Sequence, residues 1–102
     1  MAMCGGHSGR KEIDDSMREY FNGVRAQIEE KLGQAVGHFE PVAYTSQVVA
    51  GTIYWVVIRI ADGADGHCHA KIFQGLPHTG AGPVVQVCYA GQTVDAPFNI
   101  NQ

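Results

Sequence analysis

Imidazole and thiol side chains in this sequence could bind a metal ion or act as nucleophiles. His67 and His69 flank Cys68 in an alternating stretch, which places both imidazoles on one face of a predicted strand. Two such histidines can bind a metal ion when a third ligand lies nearby. The alternation places no Asp, Glu or Cys on that face, and histidines on a solvated strand face are common. We therefore predict no metal site and no cofactor, and metal binding remains the alternative.

The cysteines do not form a pattern typical of an enzyme. Cys68 and Cys88 fall on predicted strands whose alternation favours burial, where thiols are usually inert. A catalytic thiol also needs an oriented base and a pocket, and the sequence offers neither. With Cys4 the chain has 3 cysteines, which cannot all pair, and none lies in a Cys-x-x-Cys motif. We therefore predict a protein that is not an enzyme, stabilised by packing in a reducing compartment.

Two apolar turns suggest binding instead of catalysis. A tight hairpin tip normally carries Asn, Asp and Gly, whereas residues 47–51 read Gln47, Val48, Val49, Ala50 and Gly51. The valines either point into the core or form an exposed apolar wedge, which proteins keep mainly for binding. Periodicity alone leaves both interpretations open. A second apolar tip, stiffened by proline, consists of Leu76, Pro77 and His78.

The element before these turns is predicted to be one amphipathic helix over residues 13–32. Its apolar residues recur at steps of three and four: Ile13, Met17, Tyr20, Phe21, Val24, Ile28 and Leu32. Asp14 and Asp15 suit the positive end of the helix dipole, and Gly33 marks the predicted exit. Gly23, inside the helix, costs about 1 kcal/mol relative to alanine.

After the helix the apolar period changes to two, which predicts strands over residues 42–49, 53–61, 67–73 and 84–90. The turn-rich separators are short, so consecutive strands should pair antiparallel. A helix across one face of a curled antiparallel sheet is the expected α+β fold. In such a meander, the turn at residues 50–51 and the loop at 76–83 should lie at one end of the sheet. The turn at residues 62–66 should lie at the other end.

Composition restricts the partners and the location. The chain has 102 residues, predicted as a single domain over residues 1–102, and a net charge of −3. Its Lys and Arg residues are scattered, so we predict binding to neither nucleic acid nor a membrane surface. No stretch is apolar enough to span a bilayer, and the first ten residues lack a signal-peptide core. The expected location is therefore cytoplasmic.

The two tips, together with Met3-Cys4-Gly5-Gly6 at the N-terminus, resemble the cystatin superfamily, in particular its stefin (type 1 cystatin) branch and stefin B. Residues 27–31 and 70–74 are also similar to stefins, and the resemblance covers roughly residues 3–93. It implies a reversible, tight-binding inhibitor of papain-like cysteine proteases, including cathepsins. In that family an N-terminal segment and two hairpin loops form a wedge that fills the protease cleft.

The resemblance also implies which residues bind the protease. Matched position by position, they are Gly5, Gly6, Gln47, Val48, Val49, Ala50, Gly51, Leu76, Pro77 and His78. The predicted state is a monomer, with a domain-swapped or Cys4-linked dimer as the alternative. The tail over residues 95–102 departs from the aromatic ending usual in stefins. A small metal-binding or protein-interaction domain without protease inhibition remains the alternative function.

Overall fold

The computed structural model describes residues 9–80 and 82–100. In chain order its elements are β1 (Lys11–Glu12), α1 (Asp15–Asn22), α2 (Arg25–Leu32), β2 (Glu40–Val49), β3 (Gly51–Arg59), β4 (His67–Gln74), a 3₁₀ turn (Pro77–Thr79) and β5 (Val84–Gln92). Within the described residues, the strands form one antiparallel sheet in the order β1-β2-β3-β4-β5. The predicted α+β fold and its four long strands are confirmed. Strand β1 was not predicted, because a strand of two residues is too short to show an alternating apolar pattern.

The helical segment is divided into α1 and α2 at Gly23 and Val24. The Gly23 amide donates to the Tyr20 carbonyl and the Val24 amide to the Phe21 carbonyl, each at 3.1 Å. These are i→i−3 bonds, which tighten the helix locally into a 3₁₀ turn. Glycine is a weak helix former, so the interruption falls where the helical preference is lowest. The apolar stripe continues through the break, because Phe21, Val24 and Ile28 are all buried.

The two helices cover one face of the sheet, as predicted for a single helix. Their buried side chains meet those of three strands in one core cluster, made of Phe21, Val24, Ile28, Val56, Ile58, Cys68, Ala70, Ile72 and Val85. Fully burying a large aliphatic or aromatic side chain contributes about 1.5–3 kcal/mol. This cluster therefore supplies much of the stability that holds the helices against the sheet. None of the helices in residues 9–80 and 82–100 is long and apolar enough to cross a membrane.

The opposite face of the sheet is covered at its centre. Trp55 and Val57 on β3 are fully buried, and His69 on β4 is also buried. The ring of Phe98, in the C-terminal tail, has its centroid 6.0 Å from that of Trp55 and 4.6 Å from that of His69. The expectation that the histidine face is solvated is therefore wrong at His69, because the tail folds back over it.

The register of the sheet confirms the predicted grouping of the turns. Thr52 on β3 pairs with Gln74 on β4, so the β2–β3 tip lies beside the loop that follows β4. Arg59 pairs with His67, which places the turn at residues 62–66 at the other end of the same two strands. We call these the hairpin end and the far end of the sheet.

Candidate functional site

The valines of the β2–β3 tip are exposed at the hairpin end. Val48 is 72% exposed and Val49 is 40% exposed, and Ala50 beside them is also exposed. The structure thus favours the wedge interpretation of this tip over the core interpretation. Folding gains little from leaving these side chains in water, and contiguous exposed apolar surface usually marks an interaction site.

Gly51 holds the tip close against β4. Its φ of +126° lies in a region that L side chains rarely adopt. A Cβ added there would overlap the carbonyl oxygen of Gln74 and lie 3.0 Å from Cζ of Phe73. The position therefore excludes a side chain for two independent reasons, backbone conformation and space. The shape of the tip depends on glycine here.

The second predicted tip lies at the same end. Leu76 is 38% exposed in extended conformation, with φ −65° and ψ 150°, and leads into the turn at Pro77 and His78. The Gly80 amide closes this turn by donating to the Pro77 carbonyl at 3.2 Å. Pro77 and His78 are exposed as well. The fold therefore brings both predicted tips to one end of the sheet.

Val84 is an exposed apolar residue at the hairpin end that the sequence reasoning missed. It is 51% exposed and pairs with Phe73 near the end of β4. Val84 is the first residue of a predicted strand, and the sequence does not show which face of the sheet its side chain occupies. The available signal was its position directly after Pro83, at the start of a strand that leaves the predicted second tip.

Two helix side chains anchor the second loop at its two ends. Tyr20 donates through its hydroxyl to Oε1 of Gln74 at 2.8 Å, where the loop begins. Where it ends, Nε2 of Gln27 donates to the Pro83 carbonyl, and the Val85 amide donates to Oε1 of Gln27, both at 2.9 Å. Burial, followed by the effect of Tyr54, raises the pKa of Tyr20 to about 12, so the hydroxyl keeps its proton at neutral pH.

These anchoring roles were not predicted. The sequence analysis placed Tyr20 in the apolar stripe and noted Gln27 only within a stretch similar to stefins. The available signal for Gln27 was its position next to Ile28, which places its amide side chain at the border of the apolar face of the helix. The anchoring itself depends on strands more than 50 residues away in the sequence.

We expect Gln27→Ala to loosen the second loop without unfolding the protein. The buried Val85 amide would lose this acceptor, so the free energy of unfolding should fall by about 1–2 kcal/mol. Urea unfolding gives the stability, and hydrogen exchange at the Val85 amide should become faster. Gln86→Ala makes the same chemical change at an exposed position and should alter neither measurement. Unchanged exchange at Val85 in the Gln27 variant would contradict the anchoring role.

The N-terminal part of the predicted site, Gly5 and Gly6, lies outside the described residues. Strand β1 nevertheless shows which end of the sheet the start of the described chain faces. Lys11 pairs with Tyr44 and Glu12 with Ala43, antiparallel to β2. Because β2 runs towards Val49, the Lys11 end of β1 faces the hairpin end.

The histidines and cysteines of β4 and β5 lie away from the tips, because Arg59, Ile58 and Val57 pair with residues 67–69 and Ala70 pairs with Cys88. In the part of the chain that the structure describes, no group of three or more His, Cys, Asp or Glu side chains could hold a metal ion. Burial, then Arg10 and His67, lower the pKa of His69 to about 4, so this imidazole is neutral at pH 7. A hydrogen bond to Cys88, together with burial, raises the pKa of the Cys68 thiol. A thiol in that environment is a poor nucleophile.

Comparison with known proteins finds relatives over most of the chain. Cystatin-B of Oplegnathus fasciatus is 35% identical over 80 residues, which are 78% of each chain. Leukocyte cysteine proteinase inhibitor 1 of Sus scrofa is 36% identical over 76 residues, 74% of this chain and 72% of the relative. Cystatin-A of Homo sapiens is 38% identical over 73 residues, 72% of each chain. No protein-family model matches the chain.

Proposed function

Because the chain belongs to the stefin branch of the cystatin superfamily, we propose that it is a reversible, tight-binding inhibitor of papain-like cysteine proteases of the cathepsin type. Members of this family inhibit proteases and are not enzymes. The observation that supports the proposal most directly is the exposed apolar surface of two separate turns at one end of the sheet.

In the proposed complex the two tips enter the active-site cleft of the protease together. Val48, Val49 and Leu76 would lose their exposed apolar surface to the cleft, a favourable contribution of roughly 25 cal/mol per Å² buried. Gln47, Ala50, Gly51, Pro77 and His78 would complete the contact surface. Gly5 and Gly6 would complete the contact from the N-terminal segment, a proposal supported by the Lys11 end of β1 facing the hairpin end.

The geometry of the first tip gives a physical reason why the inhibitor would not be cut. Gly51 is held against the backbone of Gln74, so the tip is a closed turn backed by a neighbouring strand. Cleavage requires a peptide bond placed accurately for attack by the catalytic thiolate. A turn held by its own sheet would occupy the cleft without offering such a bond, and preorganisation of the turn would reduce the ordering cost of binding.

Titration of papain and two cathepsins with the pure protein tests this function. We expect reversible inhibition with a dissociation constant in roughly the nanomolar range or below, as for other protease–inhibitor interfaces. Mass spectrometry after long incubation should show an uncut chain, and trypsin should remain fully active as a control for protease class. No inhibition of any papain-like enzyme at micromolar concentration would refute the proposal.

The other aspects of the function stay predictions. We predict a monomer that requires no cofactor and acts in the cytosol without binding nucleic acid or membranes. Size-exclusion chromatography with and without reductant would detect a domain-swapped or Cys4-linked dimer. The alternative function, a small metal-binding or protein-interaction domain, would gain support from zinc binding in a protein that inhibits no protease.

A further inference from the structure

Arg10 ties the start of the sheet to the C-terminal tail. It lies directly before β1, and its Nη1 donates to the Val94 carbonyl at 2.7 Å. Its Nη2 donates to the Ala96 carbonyl. The guanidinium carbon also lies 4.4 Å from the centroid of the Phe98 ring, within the range of a cation–π contact. One side chain thus contacts the tail at three positions.

The tail itself is docked on the sheet. We call residues 93–100 the C-terminal strap. Phe98 stacks on Trp55 with an interplanar angle of 25°, and Trp55 stacks on Tyr89 at 9°. The edge contact between Phe98 and His69 adds a fourth ring to this arrangement. Aromatic pairs at these distances contribute beyond the area they bury, so the strap has a defined position from which to hold Arg10.

The attachment matters because β1 is short. It pairs with β2 through Lys11 and Glu12, at the edge of the sheet. Pairing of this length is marginal without support from other contacts. Arg10 immediately precedes this pairing, so its contacts with the strap fix the position of the chain where β1 begins.

We propose that the C-terminal strap orients the N-terminal segment for protease binding, with Arg10 and Phe98 as positioning residues. This inference rests on the proposed function, because it assigns the strap a role in presenting Gly5 and Gly6. A segment whose direction is set before binding loses less conformational freedom in the complex and therefore dissociates more slowly. The strap acts through the N-terminal segment and does not need to touch the protease.

A double-mutant cycle in the full-length chain tests the proposal. Phe98→Ala should weaken inhibition about tenfold, mainly through faster dissociation. Gly5→Glu should weaken it by disrupting the contact of the N-terminal segment. In a chain that already carries Gly5→Glu, adding Phe98→Ala should weaken inhibition by less than about twofold. The effects of two substitutions that act through one contact are not additive. Arg10→Ala should show the same coupling. Ile100→Ala, at an exposed tail residue outside the ring cluster, is the matched control and should change inhibition little.

Two further measurements separate a positioning role from a general loss of stability. Trp55 is the only tryptophan in the chain, so its fluorescence reports the docking of Phe98 without any protease present. We expect a red-shifted emission in Phe98→Ala, and urea unfolding should show that every variant is folded under assay conditions. If Phe98→Ala weakens inhibition by the same factor with and without Gly5→Glu, the positioning role is overturned. Full inhibition by the Phe98→Ala protein would overturn it as well. If the wild-type chain inhibits no protease, the proposed function fails as well, whereas an additive cycle in an active inhibitor refutes the strap proposal alone.

Discussion

Val48→Asp should abolish most of the inhibition while leaving the protein as stable as before. Val48 is 72% exposed, and substitutions at exposed positions usually change stability by no more than about 0.5 kcal/mol. In the proposed complex the new carboxylate would be buried in an apolar cleft without a partner. Burial of such a group costs at least several kcal/mol, so the inhibition constant should rise by roughly 10²- to 10³-fold.

A charge of the same kind at the far end of the sheet is the control for Val48→Asp. Ala64 is an exposed residue in the turn at residues 62–66, and Ala64→Asp changes the net charge equally. Its inhibition constant should match that of the wild type. Inhibition constants and urea unfolding should be measured on both variants. A stable Val48→Asp protein that inhibits at full strength would remove the first tip from the binding surface, and a large loss of stability would contradict its exposed position.

Gly51→Ala should destabilise the protein and displace the first tip. An alanine at φ +126° is strained by about 1–3 kcal/mol. Overlap of its Cβ with the Gln74 carbonyl adds overpacking, which typically costs about 1–3 kcal/mol. We therefore expect the free energy of unfolding to fall by roughly 2–4 kcal/mol, partly relieved by movement of the tip away from β4. Because the moved tip no longer fits the cleft, the folded fraction should also inhibit weakly.

Two other glycines separate these effects. Gly66→Ala should also destabilise, because a Cβ there would overlap the Ala61 carbonyl, but this turn lies at the far end and the folded protein should inhibit normally. Gly37 has neither a positive φ nor a neighbour within 4 Å, so Gly37→Ala should be nearly neutral. Urea unfolding and inhibition constants under folded conditions distinguish the three variants. Wild-type stability in Gly51→Ala would show that the tip is not held against β4.

The sequence alone was sufficient for the four long strands of the sheet and for the location of the two tips. The change of apolar period from about 3.6 to 2 is a local signal that reflects which side chains face the core, and it predicted the strands well. Short connections force consecutive strands to pair, and a meander places alternate turns at one end. For this reason Val48 and Leu76 could be assigned to a common end without coordinates. The resemblance to stefins added the prediction that the chain inhibits proteases and that these residues bind them.

Only the tertiary structure decided which apolar residues face water, what anchors the second loop and where the tail lies. Both valines of the first tip fit either interpretation, because exposure at the end of a strand depends on what the other elements cover. Tyr20 and Gln27 reach strands far away in the sequence, and Arg10 reaches Val94 across 84 positions. The apolar pattern of a segment shows which of its side chains face the core. It does not show which distant residues those side chains contact. The contacts that hold the candidate site in shape are therefore a property of the folded chain, although the positions of the two tips could be predicted from the sequence.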